Sequence, residues 1–115
     1  MENKNTRLYG MLGFAMRAGR ITIGTELVCS SMSKRGKDAP KLVLVSSSAS
    51  PATKKKVLTK SEFYNILSVV IDVDSDELGR LLGKTYAPCV VAITDERFAD
   101  EIKRALENGG SKDEQ

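Results

Sequence analysis

Lys41-Leu42-Val43-Leu44-Val45, followed by Ser46-Ser47-Ser48-Ala49-Ser50-Pro51, is the stretch on which the fold turns. Four aliphatic residues in unbroken succession, without polar alternation, describe a strand covered on both faces. The serine-rich segment after it is a loop. Ser50-Pro51 is a helix start, with proline at the first helical position, where its missing N–H removes no bond. A helix over about 51–64 follows, and a buried strand feeding a helix sets the theme for the chain.

Working outward, Val69-Val70-Ile71 centres a strand over 68–73, and Cys89-Val90-Val91-Ala92-Ile93-Thr94 is a last strand. Ile21-Thr22-Ile23 reads as a very short one. Helices fill the gaps. The first spans 6–18, with Leu8, Met11, Leu12, Ala15 and Met16 at helical spacing and Gly19 as its stop. A second starts at Gly24 or Thr25, runs to about 35, and carries Leu27, Val28 and Met32 inward. Asp74 opens a short acidic helix that Gly83 closes, and Asp95 caps a final one ending near 106. Buried strands alternating with helices predict a three-layer α/β/α sandwich around a small mixed four-stranded sheet.

The chain's 115 residues suffice for one compact domain, expected over 1–107, with 108–115 a flexible tail. Aromatic residues make up only 5%, so aliphatic side chains must build the core. Histidine is absent, which removes Ser-His-Asp and Cys-His catalysis. Cys29 and Cys89, the only cysteines, are expected as reduced thiols, and zinc lacks further ligands. Asp72, Asp74, Asp76 and Glu77 miss the spacing of a calcium loop and read as helix capping. No metal or cofactor is expected. The first residues lack the order of a signal peptide and no apolar run reaches ~18 residues, so no membrane association is expected and the cytoplasm is the expected compartment.

Charge is polarised along the chain. Residues 1–60 hold 12 Lys and Arg against 3 Asp and Glu, whereas 61–115 hold 6 against 12. Such a separation predicts an oriented basic face suited to phosphates. Lys54-Lys55-Lys56 with Lys60, and Lys34-Arg35 with Lys37, are either solvated helix faces or phosphate contacts. Within the basic half, Gly19-Arg20-Ile21-Thr22-Ile23-Gly24-Thr25-Glu26 places a glycine-bounded strand before a small polar helix start. Free N–H groups at such a mouth suit an anionic partner, with RNA the leading candidate.

Several segments in order resemble the small kink-turn-binding ribosomal-protein superfamily, and within it the small bacterial YlxQ-type members. They are residues 12–20, the Gly24-initiated helix, Lys41-Leu42-Val43-Leu44-Val45, Thr53-Lys54-Lys55-Lys56, and Tyr64. Glu77-Leu78-Gly79, Leu82-Gly83-Lys84 and Val90-Val91-Ala92-Ile93-Thr94-Asp95 complete the series, which runs from about Leu8 to Leu106. The resemblance implies the same sandwich and RNA binding through two adjoining segments. One is the mouth of the second helix, comprising Gly24, Thr25, Glu26 and Leu27 with Ser30 one turn later, flanked by Arg20 and Thr22. The other is the loop Lys84, Thr85, Tyr86, Ala87 and Pro88, whose tyrosine either stacks on an unpaired base or partly covers the core. Lys54 adds a phosphate contact. The kink-turn readers of the family carry an Asn-Glu pair and a lysine at the mouth, where this chain has Glu26-Leu27 and Ser30. An amide, a carboxylate and a lysine there suit sheared base pairs and their phosphates.

The expected function is therefore a non-catalytic, monomeric RNA-binding protein on structured RNA, ribosomal or kink-turn-like, with the ribosome a candidate partner. The alternative is a protein-interaction module that keeps the fold without RNA affinity.

Overall fold

A computed structural model of the chain describes residues 6–107, so the expected tail over 108–115 lies outside the described residues. The elements follow the expected alternation: α1 (Thr6–Arg17), β1 (Ile21–Ile23), α2 (Thr25–Ser31), β2 (Leu42–Ser46), α3 (Pro51–Phe63), β3 (Ser68–Ile71), α4 (Ser75–Leu81), β4 (Val90–Ile93) and α5 (Glu96–Ala105). A single 3-10 turn, Gly36–Asp38, joins α2 to β2.

The strands form one mixed sheet in the order β1-β4-β2-β3. β4 runs antiparallel to both neighbours, with Ile23 opposite Val91 and Val45 opposite Val90, while β2 and β3 are parallel. Period-two alternation sends Leu42 and Leu44 to one face and Val43 and Val45 to the other. The first face packs on Leu8, Leu12 and Ala15 of α1, Leu78 of α4 and Ile102 of α5. The second packs on Val28, Cys29 and Met32 from α2 and its end, and on Val57 of α3. All five residues of β2 are buried, which explains its unbroken apolar run. The three-layer sandwich is thus observed as read from the sequence.

Local chemistry fixes the helix starts. Ser50 accepts from the Thr53 N–H at 3.1 Å, and Asp74 from the Glu77 N–H at 2.8 Å. Asp95 accepts from the N–H groups of Arg97 and Phe98 at 2.8 and 3.2 Å. The second helix departs from expectation: it ends at Ser31 and leaves Leu27 63% exposed. Val28, Cys29, Ser31 and Met32 take the inward positions. Leu27 lies about 100° round the helix from the fully buried Val28, on the solvent flank of the inward stripe.

The Phe98 N–H bond holds the Asp95 carboxyl below its ordinary 3.8, assisted by the Arg97 N–H and by the charges of Arg97 and Arg20. A carboxyl depressed by folding stabilises fully above its unfolded value and loses that contribution as pH falls through the lower folded value. Thermal unfolding below pH 3.8 should therefore show a shallower acid decline for Asp95→Asn, which keeps a capping oxygen without the charge. An identical decline in both proteins would contradict this role.

Candidate nucleic-acid interface

The registers bring Ile23, Val90, Ser46 and Ile71 to one end of the sheet. From that end α2, α3 and α4 begin, and into it the loop over 84–88 delivers β4. The Gly24 N–H donates to the Val90 carbonyl at 2.9 Å, locking the turn into α2 beside the end of that loop. The two segments that the sequence separates by sixty residues are thereby neighbours.

At the mouth, Gly24 has φ +111° with no atom within 4 Å of an added Cβ, so backbone conformation alone demands glycine there. Its carbonyl accepts from the Val28 N–H at 2.9 Å, yet no side chain caps the helix. The helices beginning alongside are capped, α3 by Ser50 and α4 by Asp74. The first-turn N–H groups of Thr25, Glu26 and Leu27 are those no carbonyl of their own helix can reach. Glu26 is exposed and accepts from Lys56 Nζ at 3.1 Å, joining the mouth to α3. The same contact raises the Lys56 ammonium above its ordinary value, first by hydrogen bonding and then by charge attraction. Ser30 is exposed and its hydroxyl donates to the Leu27 carbonyl at 3.1 Å.

In the loop, Thr85, Tyr86 and Ala87 are exposed, Tyr86 by 55%, and Lys84 is half-buried. Tyr86 therefore presents its ring to solvent and does not cover the core. Pro88 is buried, so it anchors the loop and does not face a ligand. The anchor on the other side is Gly79 of α4, a residue that the sequence flags only as part of a family-like segment. A Cβ at Gly79 would collide with the Tyr86 carbonyl and come within 3.3 Å of Pro88 Cδ. The Gly79 carbonyl in turn accepts from the Lys84 N–H at 2.8 Å.

A network of serine side chains joins the end of β2 to the start of α4 and to Cys89. Ser46 Oγ donates to the Val73 carbonyl at 2.9 Å and lies 3.0 Å from Ser48 Oγ. Ser48 Oγ accepts from the Ser75 N–H at 2.9 Å. Ser75 Oγ reaches Cys89 Sγ at 3.3 Å, tying the residue between the loop and β4 to α4. Side-chain oxygens thus satisfy groups where four segments converge.

Not every expected residue meets at this end. Arg20 stands at the other end of β1, about 13 Å from Gly24 at strand rise. Its N–H donates to the Ala15 carbonyl and its carbonyl accepts from the Thr94 N–H, both at 2.9 Å. Thr22 lies midway, opposite Ala92. Lys34, Arg35 and Lys37 follow α2 away from its mouth and are exposed at the far end. Lys54, on the first turn of α3, is half-buried on the mouth side. The charge polarity becomes spatial: residues 25–63, which include α2 and α3, hold eight Lys and Arg against three Asp and Glu. Among the described residues no group of three metal-ligating side chains occurs, and no helix is long and apolar enough to cross a membrane.

A mixed β1-β4-β2-β3 sheet between two helical layers, with a helix mouth and a loop meeting at one end, defines a known class. The chain belongs to the ribosomal protein L7Ae/L30e/S12e/Gadd45 family, whose profile matches residues 6–103. It is 31% identical over 106 residues to the RNA-binding protein YlxQ of Enterococcus faecium, covering 92% of this chain and 97% of that one. It is 34% identical over 99 residues to the RNA-binding protein YlxQ of Bacillus subtilis (strain 168), covering 86% and 94%. In structure it is similar to a protein of unknown function from Bacillus halodurans, with TM-score 0.77, 31% identity, and 87% and 96% coverage. The fold also matches the 15.5 kD RNA-binding protein of Giardia lamblia, with TM-score 0.73 at 17% identity and 95% and 89% coverage.

Gly79 holds the loop by direct contact, so Gly79→Ala should loosen it while the sheet remains paired. Amide hydrogen exchange should accelerate at Lys84 and stay slow at Val91. Unchanged protection of the Lys84 amide in a folded Gly79→Ala protein would show that the loop is seated by other contacts.

Proposed function

We propose that this chain is a non-catalytic, cytoplasmic RNA-binding protein that acts as a monomer, with residues 1–107 forming a single RNA-binding unit. Its ligand is structured RNA, ribosomal or kink-turn-like, with the ribosome as the candidate setting. The observation that carries the reading is the meeting of the α2 mouth and the 84–88 loop at one sheet end in a chain of this family.

Each group there has a chemical use. Uncapped N–H donors at Thr25 to Leu27 suit a phosphate oxygen. Exposed Leu27 and Tyr86 give apolar surfaces on which unstacked bases can lie. Lys54 and Lys84 supply cations for the backbone, while Glu26, oriented by Lys56, can accept from a base amino group. With Leu27 where kink-turn readers place a carboxylate, recognition rests on shape and stacking more than on base-edge hydrogen bonds. Relatives named as RNA-binding proteins at 31% and 34% identity support the same class of ligand.

Titrating a kink-turn duplex and an unkinked duplex at several salt concentrations tests this reading. The kinked form should bind more tightly. Lys84→Glu should weaken binding by about tenfold and flatten the salt dependence by roughly one phosphate contact. Arg20→Glu, at the far end of β1, should have the smaller effect. Equal affinities for the two duplexes, or a larger loss from Arg20→Glu, would count against the assigned surface.

A further inference from the structure

The outer face of α3 carries a feature that the mouth does not use. Phe63 is 79% exposed, the most exposed large hydrophobic side chain among the described residues. It meets Tyr64 edge to face, with ring centroids 4.9 Å apart and planes at 87°. Lys60 Nζ lies 6.0 Å from the Tyr64 ring centroid. Lys55, Lys56, Thr59 and Lys60 continue the same helix face towards the mouth, lining with the two rings an open groove of about 700 Å³. Spacings of 56, 60 and 63 keep these residues on one stripe.

The platform is also firmly held. Asn65 adopts φ 59°, and the Asn65 and Ile66 N–H groups donate to the carbonyls of Glu62 and Ser61 at 3.1 and 2.8 Å. That left-handed finish fixes the last turn of α3, and with it Phe63. An aromatic ring so exposed contributes little to the core, while lysines around it are what protein–protein interfaces tend to lack. Aromatic rings interleaved with cations are the elements with which proteins hold unpaired nucleotides: stacking for the base, ammonium groups for the phosphates. Lys56 bonds Glu26 at the mouth, and Phe63 lies about 10 Å further along the helix at 1.5 Å per residue.

We propose that this face binds a single-stranded RNA segment, with a base against Phe63 and phosphates on Lys55, Lys56 and Lys60. The inference builds on the RNA-binding reading and shares only Lys56 with the mouth; its test falls on Phe63, which the mouth does not use, so the two can fail separately. The full chain, Phe63→Ala and Phe63→Tyr are titrated with four probes: an oligouridine strand, a blunt kink-turn duplex, an unkinked duplex, and the kink-turn duplex extended by an oligouridine tail. High exposure of Phe63 keeps both variants folded.

Phe63→Ala should lose about tenfold in affinity for the strand and the tailed duplex, with the blunt duplex unaffected and Phe63→Tyr near the unsubstituted chain. If Phe63→Ala binds the strand and the tailed duplex as the unsubstituted chain does, the proposal is overturned, and a protein is the better occupant of the groove. A chain that binds no oligouridine and gains nothing from the tail overturns it equally. Loss on the strand with no preference for a kinked over an unkinked duplex supports the α3 surface while removing the mouth.

Discussion

The antiparallel pairing of β1 with β4, closed by the hydrogen bond from the Gly24 N–H to the Val90 carbonyl, is the constraint on which the functional end of this molecule depends. β1 has only three residues and lies at the sheet's edge. It nevertheless sets where α2 begins, because the chain must leave the sheet at Gly24 in a conformation open only to glycine. The same pairing places the start of β4, and hence the loop before it, against that exit. Gly79 from below and the serine network around Ser75 then fix the loop's height and direction. Two exposed segments with no mutual attraction of their own are held together by backbone pairing in the layer beneath.

Charge organisation follows from the same topology. Residues 25–63 supply both helices of one outer layer, α2 and α3, whereas the opposite layer combines α1 from the basic half with α4 and α5 from the acidic half. The cation excess of residues 25–63 thus lies in the α2–α3 layer, on which the mouth opens. For the proposed RNA ligand, attraction of this kind would speed and orient approach without specifying sequence. Specificity would then fall to the exposed side chains Leu27 and Tyr86 and to the shape of the end of the sheet.

Much of this was legible in the residues alone. The uninterrupted Leu42 to Val45 run announced a strand covered on both faces, and Ser50, Asp74 and Asp95 marked helix starts that their side chains indeed cap. Leu27 departs from expectation because apolar character alone does not say which of two adjacent aliphatic residues faces the sheet: Val28 is buried and Leu27, about 100° round the helix, is not. The resemblance sets Arg20 beside the mouth, whereas the extended strand β1 carries it to the opposite end. Gly79 and Ser75 act through contacts with residues seven, fourteen and twenty-seven positions away, which depend on how α4 sits against its neighbours. No local pattern encodes that placement.

The most direct test of the central claim is residue-level mapping of ultraviolet crosslinks between the chain and RNA recovered from cells. Tyr86 and residues 25–27 should carry crosslinked nucleotides, since Glu26, Leu27 and Tyr86 stand exposed and Thr25 half-buried in the segments joined by the Gly24–Val90 contact. Crosslinks confined to residues 34–41 and the neighbourhood of Arg20 would contradict the account, because they would place the RNA at the wrong end of the sheet.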